Sequence, residues 1–144
     1  MLIGQHLHTL DTKKRISLPA KFRKEMGKTV IVARGWDKCV SVYSVKQWKE
    51  SVVKFTALSE GQAESRTLNR YILGTASETD VDSAGRILIP DTLKDFAGLK
   101  EKVVVAGLEN HLELWDEASW KTYQTKAEAE AEKIAEKLAG IGAL

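Results

Sequence analysis

The sequence holds one cysteine, Cys39, and only two prolines, Pro19 and Pro90. A single thiol excludes an intrachain disulfide, and such a chain suits a reducing cytoplasm. No apolar run approaches the roughly 20 residues that span a bilayer. The N-terminal Met-Leu-Ile-Gly-Gln-His has neither the basic start nor the long apolar stretch of an export leader. There is no glycine-rich phosphate loop and no nucleophile elbow. The expectation is a cytoplasmic, non-enzymatic protein that needs no cofactor and no metal and does not engage a membrane. What is present is a globular composition over 144 residues, 43% hydrophobic and 29% charged.

The formal net charge of +2 conceals an imbalance. Residues 1–60 carry 12 Lys/Arg against 5 Asp/Glu, and residues 61–144 carry 10 against 15. A basic first half points to a polyanion as partner. A charge-complementary contact between subunits is the other reading of the same pattern.

The two prolines mark an internal repeat. Asp11, Arg15 and Pro19 recur as Asp82, Arg86 and Pro90, and Gly27 recurs as Gly98, all 71 residues on. One residue is then inserted, and Val40-Ser41-Val42-Tyr43 matches Leu112-Glu113-Leu114-Trp115, with Trp48 matching Trp120, at 72. Anchors of several residue types staying in step imply two copies of one supersecondary unit. Each copy is too small to bury much surface alone, so the copies are expected to share a core.

Each half reads as the same series. A strand (3–10 or 75–81) leads into a tight turn (11–14 or 82–85) and a strand ending at proline. The proline suits the first position of a short helix, with Phe22 and Met26 or Leu93 and Ala97 as its apolar side. Gly27 and Gly98 stand where a helix stops in the left-handed conformation. A buried strand (30–33 or 103–106) and a hairpin partner (40–43 or 112–115) follow. Ser44 has the spacing of a capping box with Gln47, and Asp116 is the matching cap. Helices are predicted over 45–58, 62–73 and 117–138. The division is a first half over 1–58, a linking helix within 59–74, and a second half with a C-terminal helix over 75–144.

The turns carry the candidate site. The Asp82 carboxylate can accept a backbone N–H two residues on, Gly85 can take a positive φ, and Arg86 starts the outgoing strand within reach of Asp82. The first copy has Lys14 where the second has Gly85, so its turn is expected to differ in shape. An Asp–Arg pair around a turn also serves as a purely fold-stabilising pair. The neighbours favour more: Lys13, Lys14, Arg15, Lys21, Arg23 and Lys24 lie within fourteen residues. Lysines there supply salt-dependent phosphate affinity, and an arginine on a β-surface can bond guanine O6 and N7 together. Asp80, Asp82, Asp91 and Asp95 surround the second copy, so the first half is expected to carry most of the contact.

The two Asp-x-x-x-Arg motifs, the strands ending at proline, Tyr71-Ile72-Leu73-Gly74 before the second copy and Leu114-Trp115-Asp116 after it resemble the MraZ family over residues 1–123. The resemblance implies an α+β, β-rich fold of tandem duplicated AbrB-like β-barrel halves, with short helices and a C-terminal helix, in the swapped-hairpin class. It implies a transcription factor that binds short direct repeats of double-stranded DNA in the promoter of the division and cell-wall gene cluster. Nucleoid association and a homo-oligomeric ring, often an octamer, belong to the same implication. It makes Arg15 and Arg86 the DNA-facing residues and Asp11 and Asp82 their orienting partners. The basic stretch adds Lys13, Lys14, Lys21 and Arg23 as DNA-binding candidates.

Two rivals stand beside this reading. His6, His8, Cys39 and His111 offer nitrogen and sulfur ligands for zinc, but no carboxylate or second cysteine recurs in ligand spacing. His6 and His8 are expected to face solvent on an alternating strand. The second rival is a protein-interaction or antitoxin-like module, against which stand two fused halves and a helical tail. Trp36, Trp48, Trp115 and Trp120 are expected in the core or an interface rather than on a base-stacking platform.

Overall fold

The computed structural model describes residues 1–144. In chain order the elements are β1 (Leu2–Thr9), β2 (Arg15–Ser17), α1 (Ala20–Met26), β3 (Thr29–Arg34), β4 (Val40–Ser44), α2 (Val45–Thr56), α3 (Ala63–Ile72), β5 (Ser77–Asp80), β6 (Arg86–Leu88), α4 (Asp91–Ala97), β7 (Lys102–Glu109), β8 (Leu112–Asp116) and α5 (Glu117–Gly140). The duplication is therefore structural: β1, β2, α1, β3 and β4 recur as β5, β6, α4, β7 and β8.

The halves are interlocked rather than adjacent. The six-stranded sheet runs β1-β7-β8-β4-β3-β5, and β2 pairs with β6 in a separate ribbon. Exchanging equivalent strands only reverses that order, so a pseudo-twofold axis passes between β8 and β4. Each first strand leaves its own half: β1 pairs with β7 and β5 with β3, both antiparallel. One core of 19 buried residues draws on both copies, including Ile16, Leu18, Phe22 and Met26 from the first and Ile87, Ile89, Leu93 and Ala97 from the second. Neither half closes its own apolar surface, which is why the chain shares one core.

Three local expectations change. Gly98 takes the left-handed conformation (φ 61°, ψ 31°), but Gly27 ends α1 at φ 79°, ψ −163°. Ser44 caps α2 through Gln47 N at 3.2 Å as its spacing predicts. Asp116 does not cap α5; its buried carboxylate accepts Lys100 N at 3.2 Å instead. His6 and His8 also do not face solvent. They are half-buried, while Ile3 and Leu7 face outward, 50% and 53% exposed. Side chains alternate along a strand, and both histidines share the parity of Leu2 at the start of β1 and Leu10 just past its end, both buried.

Candidate nucleic-acid interface

Each Asp-x-x-x-Arg turn is built by one carboxylate. Asp11 Oδ1 accepts Lys13 N at 2.8 Å and Arg15 N at 2.9 Å, and Asp11 Oδ2 accepts Arg15 Nε at 2.9 Å. Asp82 repeats the set: Oδ1 accepts Ala84 N and Arg86 N, both at 2.9 Å, and Oδ2 accepts Arg86 Nε at 2.8 Å. The backbone closes both alike, Lys14 N donating to Asp11 O at 3.0 Å and Gly85 N to Asp82 O at 2.9 Å. Both aspartates are held below the usual carboxylate pKa, first by the backbone N–H of Arg15 or Arg86; burial opposes this next, and the guanidinium and the N–H of Lys13 or Ala84 lower the pKa further.

The expected difference in turn shape is not found. Lys14 sits at φ 61° and Gly85 at φ 79°. The carboxylate, with its backbone and guanidinium bonds, holds the same conformation in both turns, and Lys14 bears the strain of a left-handed backbone with a Cβ. The turn's hydrogen bonds offset that cost.

The ribbon joins the two turns. Arg15 pairs across from Leu88, Ile16 from Ile87 and Ser17 from Arg86. Ile16 and Ile87 are buried below, so Arg15, Ser17, Arg86 and Leu88 share the outward face. Each guanidinium is bonded through Nε to its aspartate, and its two Nη groups make no hydrogen bond within the fold.

The interlock also mixes the charges that the sequence separates. Lys14 of the first turn pairs with Asp91 of α4 at 2.5 Å. Arg23 of α1 donates through Nε to Leu18 O at 2.9 Å, and its guanidinium lies against Gly85, leaving no room there for a Cβ. The second turn thus borrows a cation from the first half. Lys13 is exposed on its turn. Lys21 lies over the Phe22 ring and beside Gly4 of β1 rather than at the turns.

Sequence reasoning missed Ser17 and Leu88. The signal was there: each is two positions from its arginine, the period that places strand residues on one face.

The other candidates part company. His6 packs edge-on to Phe22 with ring centroids 5.4 Å apart. Burial, then His6, then Arg23 keep the His8 pKa below its ordinary value. His111 stacks on Tyr43, and buried Cys39 lies against Trp115, its Sγ 3.3 Å from Trp36 O. Burial, with the Glu113 charge after it, pushes the Cys39 thiol far above its usual range. No group of three or more His, Cys, Asp or Glu residues forms a metal cage. The four tryptophans meet in one groove of about 800 Å³ over the outer face of the sheet, between α2 and α5, with Asp37 and Glu113 in its lining. Trp115 is buried and Trp36 is 57% exposed. No helix is long and apolar enough to cross a membrane.

Interlocked tandem halves that join two aspartate-oriented arginines on one ribbon define a class, the duplicated swapped-hairpin α+β proteins. Within it, the chain belongs to the MraZ family. The family model described as "MraZ protein, putative antitoxin-like" matches twice, over residues 1–71 and 72–141. Relatives named "Transcriptional regulator MraZ" include those of Natranaerobius thermophilus, 39% identical over 96% of both chains, and Acetivibrio thermocellus, 36% identical over 99% of both. That of Halothermothrix orenii is 38% identical over 99% of both chains.

Proposed function

We propose that this chain is a transcriptional regulator that binds duplex DNA with the β2–β6 ribbon. The observation that carries the reading is the pair of guanidiniums fixed by Asp11 and Asp82 on one outward face. Arg15 and Arg86 reach base edges in the major groove as bidentate forks, and Lys13, Lys14, Lys21 and Arg23 supply phosphate affinity. The target is a set of short direct repeats in the promoter of the division and cell-wall gene cluster, bound in the cytoplasm at the nucleoid.

One ribbon makes few contacts, so tethered copies raise the effective concentration of the next. The assembly is a ring of identical protomers, an octamer in the family pattern, closed by head-to-tail contacts. Two unpartnered surfaces support it. The aromatic groove is open, and the far part of α5 leaves Ile134 and Leu138 exposed. A neighbour's α5 in the groove covers both.

The test is a salt-titrated anisotropy assay with repeat-bearing and scrambled duplexes. Salt-sensitive, repeat-dependent binding that collapses in Arg15→Ala is expected. Equal binding of both duplexes reduces the protein to a nonspecific DNA binder. No binding at low salt by a folded oligomer ends the DNA reading and favours the antitoxin-like or interaction module, for which the open groove is the supporting observation.

A further inference from the structure

The ribbon's outward face is symmetric in its arginines and asymmetric between them. Its four positions form two rungs, Arg15 with Leu88 and Arg86 with Ser17. Leu88 is 51% exposed, although the residues on either side of it, Ile87 and Ile89, are fully buried. An exposed leucine by itself is ordinary. This one stands directly opposite an aspartate-fixed arginine, where its pseudo-twofold mate is a serine.

Resting on the DNA-binding reading above, we propose that Leu88 is a specificity residue that packs on the 5-methyl group of a thymine beside the base pair read by Arg15. The major-groove edge offers one apolar feature that differs between base pairs, the thymine methyl, and apolar side chains recognise it by contact. Directly opposed residues of an antiparallel pair have Cβ atoms about 5 Å apart. That is comparable to the roughly 3.4 Å rise between base pairs, so adjacent base pairs fall under Arg15 and Leu88.

The asymmetry has a consequence for the target. A ribbon with a true twofold axis would read a palindrome. Here one rung reads a base pair next to a thymine methyl, and the other offers the Ser17 hydroxyl in the methyl's place. The lysines add to the same bias, since Lys13-Lys14 on one turn stands where the other has Ala84-Gly85. A directional element, repeated head to tail, is the sequence such a surface distinguishes.

The experiment replaces thymines of a repeat-bearing duplex one at a time by uracil, which removes only the methyl. Binding is measured by anisotropy for wild type, Leu88→Ala and Leu88→Ser. Wild type is expected to lose about fourfold in affinity at one position per repeat, the transfer free energy of one buried methyl. Both variants are expected to bind the thymine and uracil duplexes equally and to keep the wild-type salt slope. Uniform wild-type affinity across all uracil duplexes, with repeat-dependent binding intact, overturns the role of Leu88 and leaves the DNA reading standing. A uracil effect that survives in both variants assigns the methyl contact to another residue. Altered oligomer size in both variants with an unchanged uracil effect makes Leu88 an assembly contact and also overturns the proposal. Loss of repeat dependence in the wild type removes both readings together.

Discussion

The first and second Asp-x-x-x-Arg turns share their hydrogen bonds to within 0.1 Å at every equivalent contact. Their surroundings differ: Lys13-Lys14 faces the partner in one, Ala84-Gly85 in the other. Geometry and charge are thus set by different residues. The aspartate and the backbone fix where the guanidinium points, and the side chains around it fix how strongly an anion is drawn. The interlock narrows even the second difference, because Asp91 is paired by Lys14 and Gly85 is covered by Arg23.

Removing one arginine at a time separates the effect of geometry from that of charge. Arg15→Ala and Arg86→Ala are each expected to cost about 1–3 kcal/mol in binding to repeat DNA, readable by anisotropy at fixed salt. If Arg86→Ala binds like wild type, the shared geometry does not make the turns equivalent and charge alone decides.

A smaller effect lies in the strained turn. Lys14→Gly is expected to stabilise the fold by about 1 kcal/mol, because the left-handed conformation no longer carries a Cβ penalty. The exposed Lys14–Asp91 pair offsets little of that gain. Chemical denaturation measures the change, and a destabilised variant would show that the ion pair outweighs the strain. Lys13→Ala is expected to leave stability unchanged and to lower the salt slope by about one. The reverse change at the equivalent position, Ala84→Lys, is expected to raise it.

The pH dependence tests whether the turns act alike. The pKa of each aspartate is lowered in the fold, so its contribution is present above the ordinary carboxylate range and is lost as the pH falls through the lowered value. Asp11→Asn and Asp82→Asn are both expected to flatten the loss of stability on acidification below about pH 4. The His8 pKa is lowered too, so a slighter loss is expected as the pH falls through the ordinary histidine range near 6.5. His8→Gln, followed by thermal denaturation, isolates it.

Much of the site was legible because turn chemistry is local. An aspartate that bonds N–H groups two and four residues on needs no distant partner, and the repeat of Asp, Arg and Pro announced a second copy. Burial parity was harder to read. His6 and His8 share their face of β1 with Leu2 and Leu10, and only the packed sheet shows that those two leucines point inward while Ile3 and Leu7 do not. Asp116 has cap chemistry at a cap position, but its carboxylate is drawn to Lys100 N across the loop before β7. The tryptophans scatter through the sequence and meet only when α2, α5 and the β3–β4 connection close on the sheet face that carries Trp115 of β8.

The duplication, the element order, the Asp–Arg turns and the uneven charge are written along the chain, because each depends on spacing within a few residues or on composition. The tertiary structure alone decided which half each strand serves. β1 and β5 cross over because neither half can cover its own apolar face, and that exchange brings Lys14 to Asp91, Arg23 to Gly85 and Arg15 to Leu88. Contacts between residues about 70 positions apart depend on the shared core, and no local pattern in the chain encodes them.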